Sequence, residues 1–154
     1  MKHNFLFLGK TKDTNIAKSI EEYASRLQHY TTLSISILKE KKKGLSGKFL
    51  KDKQGTLLLQ SVHPGGLIVA LDSVGRQFTS ESFAKKIVEY ELRGIKHVSY
   101  LIGGPDGLSS DVSASADLLL SLSKMTFTHD MVRLFLVEQL YRAYTIKAGE
   151  KYHK

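Results

Sequence analysis

Hydrophobic residues along this chain follow two spacings, one typical of strands and the other of helices. The runs at 5–8 and 67–71 are continuous in apolar residues, those at 97–102 and 118–122 are mostly apolar, and the run at 33–37 alternates apolar and polar residues, so all five have the pattern of strands. The predicted strands are 5–8, 33–37, 67–71, 97–102 and 118–122. Elsewhere apolar residues recur every three or four positions, which is the helical period. The predicted helices are 13–28, 48–61, 80–92, 111–117 and 130–147.

Strands and helices alternate along the whole sequence, which is the pattern of an α/β fold. Such an order predicts a mainly parallel sheet with helices on both faces and right-handed crossovers. The sequence contains no linker, repeat or low-complexity segment, so residues 1–154 are expected to form a single domain. Periodicity alone predicts an open sheet without a knot.

Composition narrows the classes of protein that fit this pattern. No apolar run approaches the ~20 residues that span a bilayer, and the first residues lack the features of a signal peptide, so a cytoplasmic protein without a membrane partner is expected. The absence of cysteine excludes disulfides, thiolate metal sites and cysteine nucleophiles. The six histidines show neither HxH nor HExxH spacing, so no metal site is expected.

Positive charge is concentrated in one part of the chain. The formal net charge is +8, and the segment from Lys39 to Lys53 holds seven lysines against Glu40 and Asp52. Such a cluster suits a polyanion such as RNA, because neutralising phosphates releases counterions. A solvated lysine loop accounts for the charge equally well.

A glycine-rich turn follows the strand at 97–102, in the run Leu101-Ile102-Gly103-Gly104-Pro105-Asp106-Gly107. In a parallel sheet, the strand ends at Leu71, Gly103 and Leu122 would line one crevice, where such sheets bind ligands. The alternative is that these glycines only make a tight turn. The spacing is neither GxGxxG nor a Walker loop, so it gives no support to a dinucleotide or triphosphate site. The nearby Ser121, Ser123 and Thr126 are expected to be hydrogen-bonding loop residues rather than nucleophiles.

The last predicted helix is apolar almost all round, which predicts burial by the core and by a second subunit. Glu138 and Arg142 are four residues apart on it, as in a local ion pair. The chain then ends in Tyr152-His153-Lys154, and such polar tails are usually disordered unless other residues hold them in place.

Taken together, these segments resemble the RlmH family of SPOUT methyltransferases, which methylate N3 of a pseudouridine in large-subunit ribosomal RNA. The resemblance spans the whole chain. One departure from the family pattern is Thr128, which stands where a proline is expected before His129. The segments that carry it are 7–10, 71–72, 101–108, 120–127, His129, 132–133, 138–143 and 152–154. It implies a C-terminal trefoil knot, S-adenosylmethionine as cofactor, a homodimer, and a ribosomal RNA substrate on the assembled ribosome.

The resemblance also implies roles for individual residues. It places the cofactor at Leu71, Gly103, Leu122, Ser123, Lys124, Met125, Thr126 and Phe127. It places the substrate RNA at His129, Arg133, Arg142, Tyr152 and Lys154. His153 is the first choice for the catalytic base, because an unperturbed imidazole titrates near neutrality, and Glu138 and His129 are the other candidates. Two other functions fit the charge: a non-catalytic RNA-binding or ribosome-associated module, and an α/β enzyme acting on a small anionic metabolite.

Overall fold

The computed structural model describes residues 1–39 and 46–153, and of residue 153 only the backbone. Its strands are β1 Lys2–Leu8, β2 Thr32–Leu38, β3 Leu67–Gln77, β4 His97–Ile102 and β5 Leu118–Ser121. Its α-helices are α1 Thr14–Leu27, α2 Gly47–Gln60, α3 Ser80–Leu92, α4 Ser110–Ser115 and α5 His129–Lys147. A short 3-10 helix at Lys151–His153 follows α5.

The strands form one five-stranded sheet in the order β2-β1-β4-β3-β5, and every neighbouring pair is parallel. Helices α1, α3 and α5 pack together, and α2 packs against α4. The predicted α/β fold, a mainly parallel sheet with helices on both faces, is therefore confirmed.

Alternate residues of the central strands point into two separate cores, as the period of a strand requires. In β1, Phe5 and Phe7 join the core that contains α3 and α5, whereas Leu6 and Leu8 join the core that contains α2 and α4. All four side chains are almost fully buried. The sheet thus has an apolar layer on each face, and its polar loops collect at the strand ends.

Polar side chains cap four of the helices, α1, α3, α4 and α5, at their first turn. Asp13 accepts hydrogen bonds from the backbone N–H groups of Asn15 and Ile16 at the start of α1. Thr128 accepts one from Met131 at the start of α5, at 3.4 Å. The threonine that replaces the expected proline therefore serves as the helix cap.

Strands β1, β2 and β3 are longer than the hydrophobic pattern predicts, and two of them, β1 and β3, extend by three residues or more. β1 begins at Lys2 and includes His3, whose ring is buried between the hydroxyls of Tyr144 at 2.8 Å and Tyr100 at 3.2 Å. β3 runs past Leu71 to Gln77, with a register shift against β5 between Leu71 and Arg76. Gly75 lies in this shifted stretch, where a Cβ would lie 2.6 Å from the carbonyl oxygen of Leu119.

Candidate functional site

A cleft of about 570 Å³ lies at the carboxyl ends of β4 and β5 and of the apolar part of β3, which ends at Leu71. Its walls are residues 71–73 within β3, the loops that follow β4 and β5, and the first turns of α5. The lining residues are 71–73, 102–105, 107–108, 120, 122–123, 125–129 and 132. The predicted meeting of Leu71, Gly103 and Leu122 is therefore found in the structure, although Leu71 lies within β3 and not at its end.

Most residues that the family resemblance assigns to the cofactor line this cleft. They are Leu71, Gly103, Leu122, Ser123, Met125, Thr126 and Phe127. Lys124 belongs to the same loop and is exposed, but it is not among the residues that line the cleft. The sequence reasoning missed Asp72 and Ser73, which the β3 extension brings to the rim.

Serine side chains fix the conformation of the loop after β5. Ser121 donates its hydroxyl to the carbonyl oxygen of Ser123 at 2.9 Å, and the Ser123 hydroxyl accepts the N–H of Met125 at 3.0 Å. The predicted hydrogen bonding of Ser121 and Ser123 is confirmed, although Ser121 is the last residue of β5 and not a loop residue. Their bonds leave the Met125 side chain 72% exposed at the mouth of the cleft.

The glycine turn after β4 is shaped by close backbone contacts. A Cβ on Gly103 would lie 2.8 Å from the carbonyl carbon and oxygen of Gly107, closer than real Cβ atoms approach. Gly107 has φ of 81°, and its N–H donates to the carbonyl oxygen of Gly104 at 3.0 Å. Gly103 is therefore required by the turn itself, whatever the cleft binds.

The first turns of α5 contain a buried charged pair beside the cleft. Arg133, whose side chain is 1% exposed, donates to the Leu8 carbonyl oxygen at 2.9 Å and the Thr11 hydroxyl at 3.1 Å. Its guanidinium lies 3.4 Å from Asp130, whose other oxygen accepts the N–H of Lys12 at 3.0 Å. These contacts bury Arg133, which the resemblance assigns to RNA, within the protein core. His129 lines the cleft, and its Nε2 lies 3.5 Å from Asp130.

A second group of polar residues holds the tail against α5, and we call it the Tyr152 cluster: Tyr23, Glu138, Tyr141, Arg142 and Tyr152. The Tyr152 hydroxyl lies 3.2 Å from both the Tyr23 hydroxyl and Glu138 Oε1. Arg142 donates to the same carboxylate oxygen at 2.6 Å, so the predicted ion pair is present. The Tyr152 ring packs against Tyr141 at 4.7 Å between ring centres.

The surroundings of the Tyr152 cluster change the pKa of Tyr152 and supply hydrogen bonds to Glu138. Burial, followed by hydrogen bonding to Tyr23 and the Glu138 charge, raises the pKa of Tyr152 well above its ordinary value. Its phenol therefore stays protonated at neutral pH and acts as a hydrogen-bond donor. Glu138 accepts bonds from Arg142, from Tyr152 and, at 2.7 Å, from Gln139. Three donors therefore hold the Glu138 carboxylate in place, which suits a residue that positions other groups.

The Tyr152 cluster does not join the cleft of the same chain among the described residues. Glu138 follows Val132, the last residue of α5 at the cleft, by six positions, which is ~9 Å along a helix. The His153 side chain and Lys154, both assigned by the resemblance, lie outside the described residues.

The described residues include neither a metal site nor a membrane-spanning helix. Among residues 1–39 and 46–153, no three histidine, aspartate or glutamate side chains lie close enough together to hold a metal ion. In the same part of the chain no helix combines the length and apolarity needed to cross a membrane.

The fold and cleft agree with a known family of enzymes. Residues 1–153 match the family model described as "Predicted SPOUT methyltransferase". The chain therefore belongs to the SPOUT methyltransferase family and is a methyltransferase.

Curated relatives are similar over nearly the whole chain and share one name, Ribosomal RNA large subunit methyltransferase H. The protein of that name from Desulfotalea psychrophila is 57% identical, with 100% of both chains covered. The one from Christiangramia forsetii is 45% identical over 95% of this chain and 94% of its own. The one from Halothermothrix orenii is 40% identical, again covering 100% of both.

A solved structure shows the same fold at much lower sequence identity. It is that of a probable methylase family protein from Haemophilus influenzae Rd KW20, with a TM-score of 0.58 and 12% identity. The match covers 99% of this chain and 70% of the other.

Proposed function

We propose that this protein transfers a methyl group from S-adenosylmethionine to N3 of a pseudouridine in 23S ribosomal RNA, on the assembled ribosome in the cytoplasm. The observation that carries the proposal is the cleft at the ends of β3, β4 and β5, in a chain of a methyltransferase family. The name shared by the relatives supports ribosomal RNA as the substrate.

The residues of the cleft fit S-adenosylmethionine. A volume of about 570 Å³ is ordinary for a small-molecule pocket. Leu71, Leu122 and Met125 offer apolar surface to an adenine ring, and the loop at 122–127 offers backbone donors and acceptors to its edge. The Asp72 carboxylate at the rim supplies negative charge to a cationic ligand. When bound, the cofactor supplies an activated methyl group on a positively charged sulfur.

The protein must also help remove the N3 proton of the target base. An imide N–H is a weak acid, so a base or donors to the flanking carbonyl oxygens are needed. We assign the base to His153, because imidazole is the side chain whose ordinary pKa lies nearest neutrality. The Tyr152 cluster supports this choice, since it fixes the residue just before His153. Glu138, which already accepts three hydrogen bonds, is assigned a positioning role.

A homodimer is part of the proposal, because the Tyr152 cluster is ~9 Å along α5 from the cleft of its own chain. We propose that each tail serves the cleft of a second copy. The apolar surface of α5 does not by itself require this partner. Every residue at 129–146 is already buried or half-buried within one chain, beneath α1, α3 and the tail.

The trefoil knot that the resemblance implies is also a proposal. It is supported by the path of the C-terminal segment, which leaves α4 on one face of the sheet, forms β5, and reaches α5 on the other face. On the way, the segment 122–129 passes beside the 102–108 turn in the cleft.

Methyl transfer from radiolabelled S-adenosylmethionine tests the proposed function. Purified protein is incubated with 70S ribosomes, 50S subunits or naked 23S RNA, and the modified nucleotide is located by mass spectrometry of RNA fragments. We expect stoichiometric labelling of one pseudouridine at N3 in 70S ribosomes and much slower labelling of naked RNA. Deleting residues 152–154 should abolish transfer while cofactor affinity is retained. Cofactor binding without labelling of any ribosomal particle would favour the non-catalytic module.

A further inference from the structure

The outer side of α2 carries a second cavity, of about 340 Å³, which we call the α2 cavity. Leu50 and Leu57 give it apolar walls, and Lys39, Lys53, Thr56 and Gln60 give it polar ones. None of these residues lines the cleft at the strand ends. The α2 cavity is therefore separate from the proposed cofactor cleft.

An exposed aromatic residue lies one helical turn from this cavity. Phe49 is 79% exposed, whereas Leu58, nine residues further along the same helix and on its inner side, is 1% exposed. Phe49, Lys53, Thr56 and Gln60 follow the spacing i, i+4, i+7, i+11, so they form one stripe along α2. A single exposed ring is common on protein surfaces, so the case for a bound partner depends on the charges around it.

The charge around the stripe identifies the chemistry of that partner. The described residues of the segment 39–60 include four lysines and one acidic residue, Asp52. Lysines attract phosphates, exposed aromatic rings stack on bases, and the Thr56 hydroxyl and Gln60 amide can pair with base edges. This combination is typical of surfaces that bind single-stranded nucleic acid.

We propose that α2 binds an unpaired stretch of RNA, with one base stacked on Phe49 and the neighbouring nucleotide in the α2 cavity. This inference rests on the proposed function and adds to it a subsite for nucleotides that flank the target. Lys39 and Lys53 contact the phosphates, and Leu50 and Leu57 contact the face of the inserted base.

The position of α2 places this subsite next to the cofactor cleft. A Cβ on Gly104 would lie 3.0 Å from Gln54 Oε1, so the side chain of Gln54 packs against the glycine turn of the cleft. Gln54 also lines the α2 cavity, so a single side chain contacts both sites. An RNA strand on α2 would thus lie about one helix diameter, ~10 Å, from the cleft.

Replacement of Phe49 tests the stacking. Affinity is measured by fluorescence anisotropy for an unstructured RNA oligonucleotide and for heparin, a polyanion that has no bases. Phe49→Ala should weaken RNA binding about tenfold and leave heparin binding unchanged, and Phe49→Trp should retain RNA affinity. Leu92→Ala is the matched control, since Leu92 is 83% exposed on α3, on the opposite face of the sheet. Unchanged thermal melting and S-adenosylmethionine affinity would show that the variants fold.

Three results would overturn the inference. Phe49→Ala could bind RNA as the wild type does, lose RNA and heparin affinity equally, or lose affinity for ribosomes alone, which would indicate a protein contact. Lys53→Gln should lower the salt dependence of RNA binding by about one phosphate contact, and Lys18→Gln on the exposed side of α1 should have less effect. These experiments measure binding alone. If the wild-type protein transferred no methyl group to ribosomal RNA, that result would contradict the proposed function and leave this inference intact.

Discussion

Helix α5 carries two ion pairs, one in its first turns and one in its middle. The surroundings of the two pairs differ. Asp130 and Arg133 lie in the interior and join α5 to the loop between β1 and α1. Glu138 and Arg142 are partly exposed and join α5 to the tail through Tyr152. Both arginines look equally suited to RNA in the sequence, because spacing on a helix does not reveal what lies above each side chain.

The comparison separates residues that hold the fold from residues that prepare the site. Removing one member of a buried pair leaves an uncompensated charge, whereas removing one member of an exposed pair changes stability little. Substitutions in the pair at the start of α5 should therefore lower the free energy of unfolding. Substitutions in the Tyr152 cluster should appear in the rate of methyl transfer.

The largest effect is expected for Arg133→Met. The variant leaves Asp130 buried without its cation and removes donors from Leu8 and Thr11, at a cost of about 3–5 kcal/mol in the free energy of unfolding. Urea denaturation monitored by circular dichroism measures it. Arg142→Met is the control and should cost about 1 kcal/mol or less. A stable Arg133→Met protein with weakened RNA binding would instead support the RNA contact that the resemblance implies.

A smaller effect is expected from acid, through His3, which contacts Tyr144 near the end of α5. Burial, together with the N-terminal and Lys147 charges, lowers the pKa of His3 to about 3. Between pH 6.5 and 3 the unfolded chain binds a proton that the folded chain excludes, so stability falls as pH falls through this range. The loss should be about 2 kcal/mol at pH 5 relative to pH 7.5.

Urea denaturation at several pH values checks this prediction. His3→Gln should have a shallower decline than the wild type, while His29→Gln, at an exposed position, should keep the wild-type slope. A slope unaffected by His3→Gln would contradict the assignment to His3.

The smallest effect is expected in the Tyr152 cluster. Tyr152→Phe removes the hydroxyl that contacts Glu138 and Tyr23, and should lower the rate of methyl transfer about tenfold, or ~1.4 kcal/mol. Its melting temperature and cofactor affinity should stay near the wild-type values. Tyr23→Phe is the matched control, because it removes the bond between the two tyrosines and keeps the one to Glu138. If the two variants behaved alike, the Glu138 contact would have no separate role in positioning the tail.

Much of the fold follows from the hydrophobic pattern, and the exceptions have physical causes. His3 was missed as part of a strand because its polar ring becomes buried only when Tyr100 and Tyr144 arrive from distant segments. The β3 extension through Ser73 and Gly75 has the composition of a loop. It is a strand because Gly75 allows the backbone of β5 to approach closely.

The site was predictable where backbone geometry determines it. The apolar parts of parallel strands end at one side of a sheet, so Leu71, Gly103 and Leu122 had to meet, even though β3 continues past Leu71. The burial of Arg133 depends on Phe7, whose ring lies 4.5 Å beneath the guanidinium, and on the Leu8 carbonyl. Neither contact leaves a signal in the sequence around Arg133.

Calorimetric titration of the wild-type protein with S-adenosylmethionine tests most directly whether the strand-end cleft is a cofactor site. We predict one binding site per chain, competition by S-adenosylhomocysteine, and loss of binding in Thr126→Trp, where an indole would fill the cleft from an exposed position. Ser80→Ala, remote from the cleft, should bind as the wild type does. No binding at millimolar ligand, or binding unaffected by Thr126→Trp, would contradict the assignment.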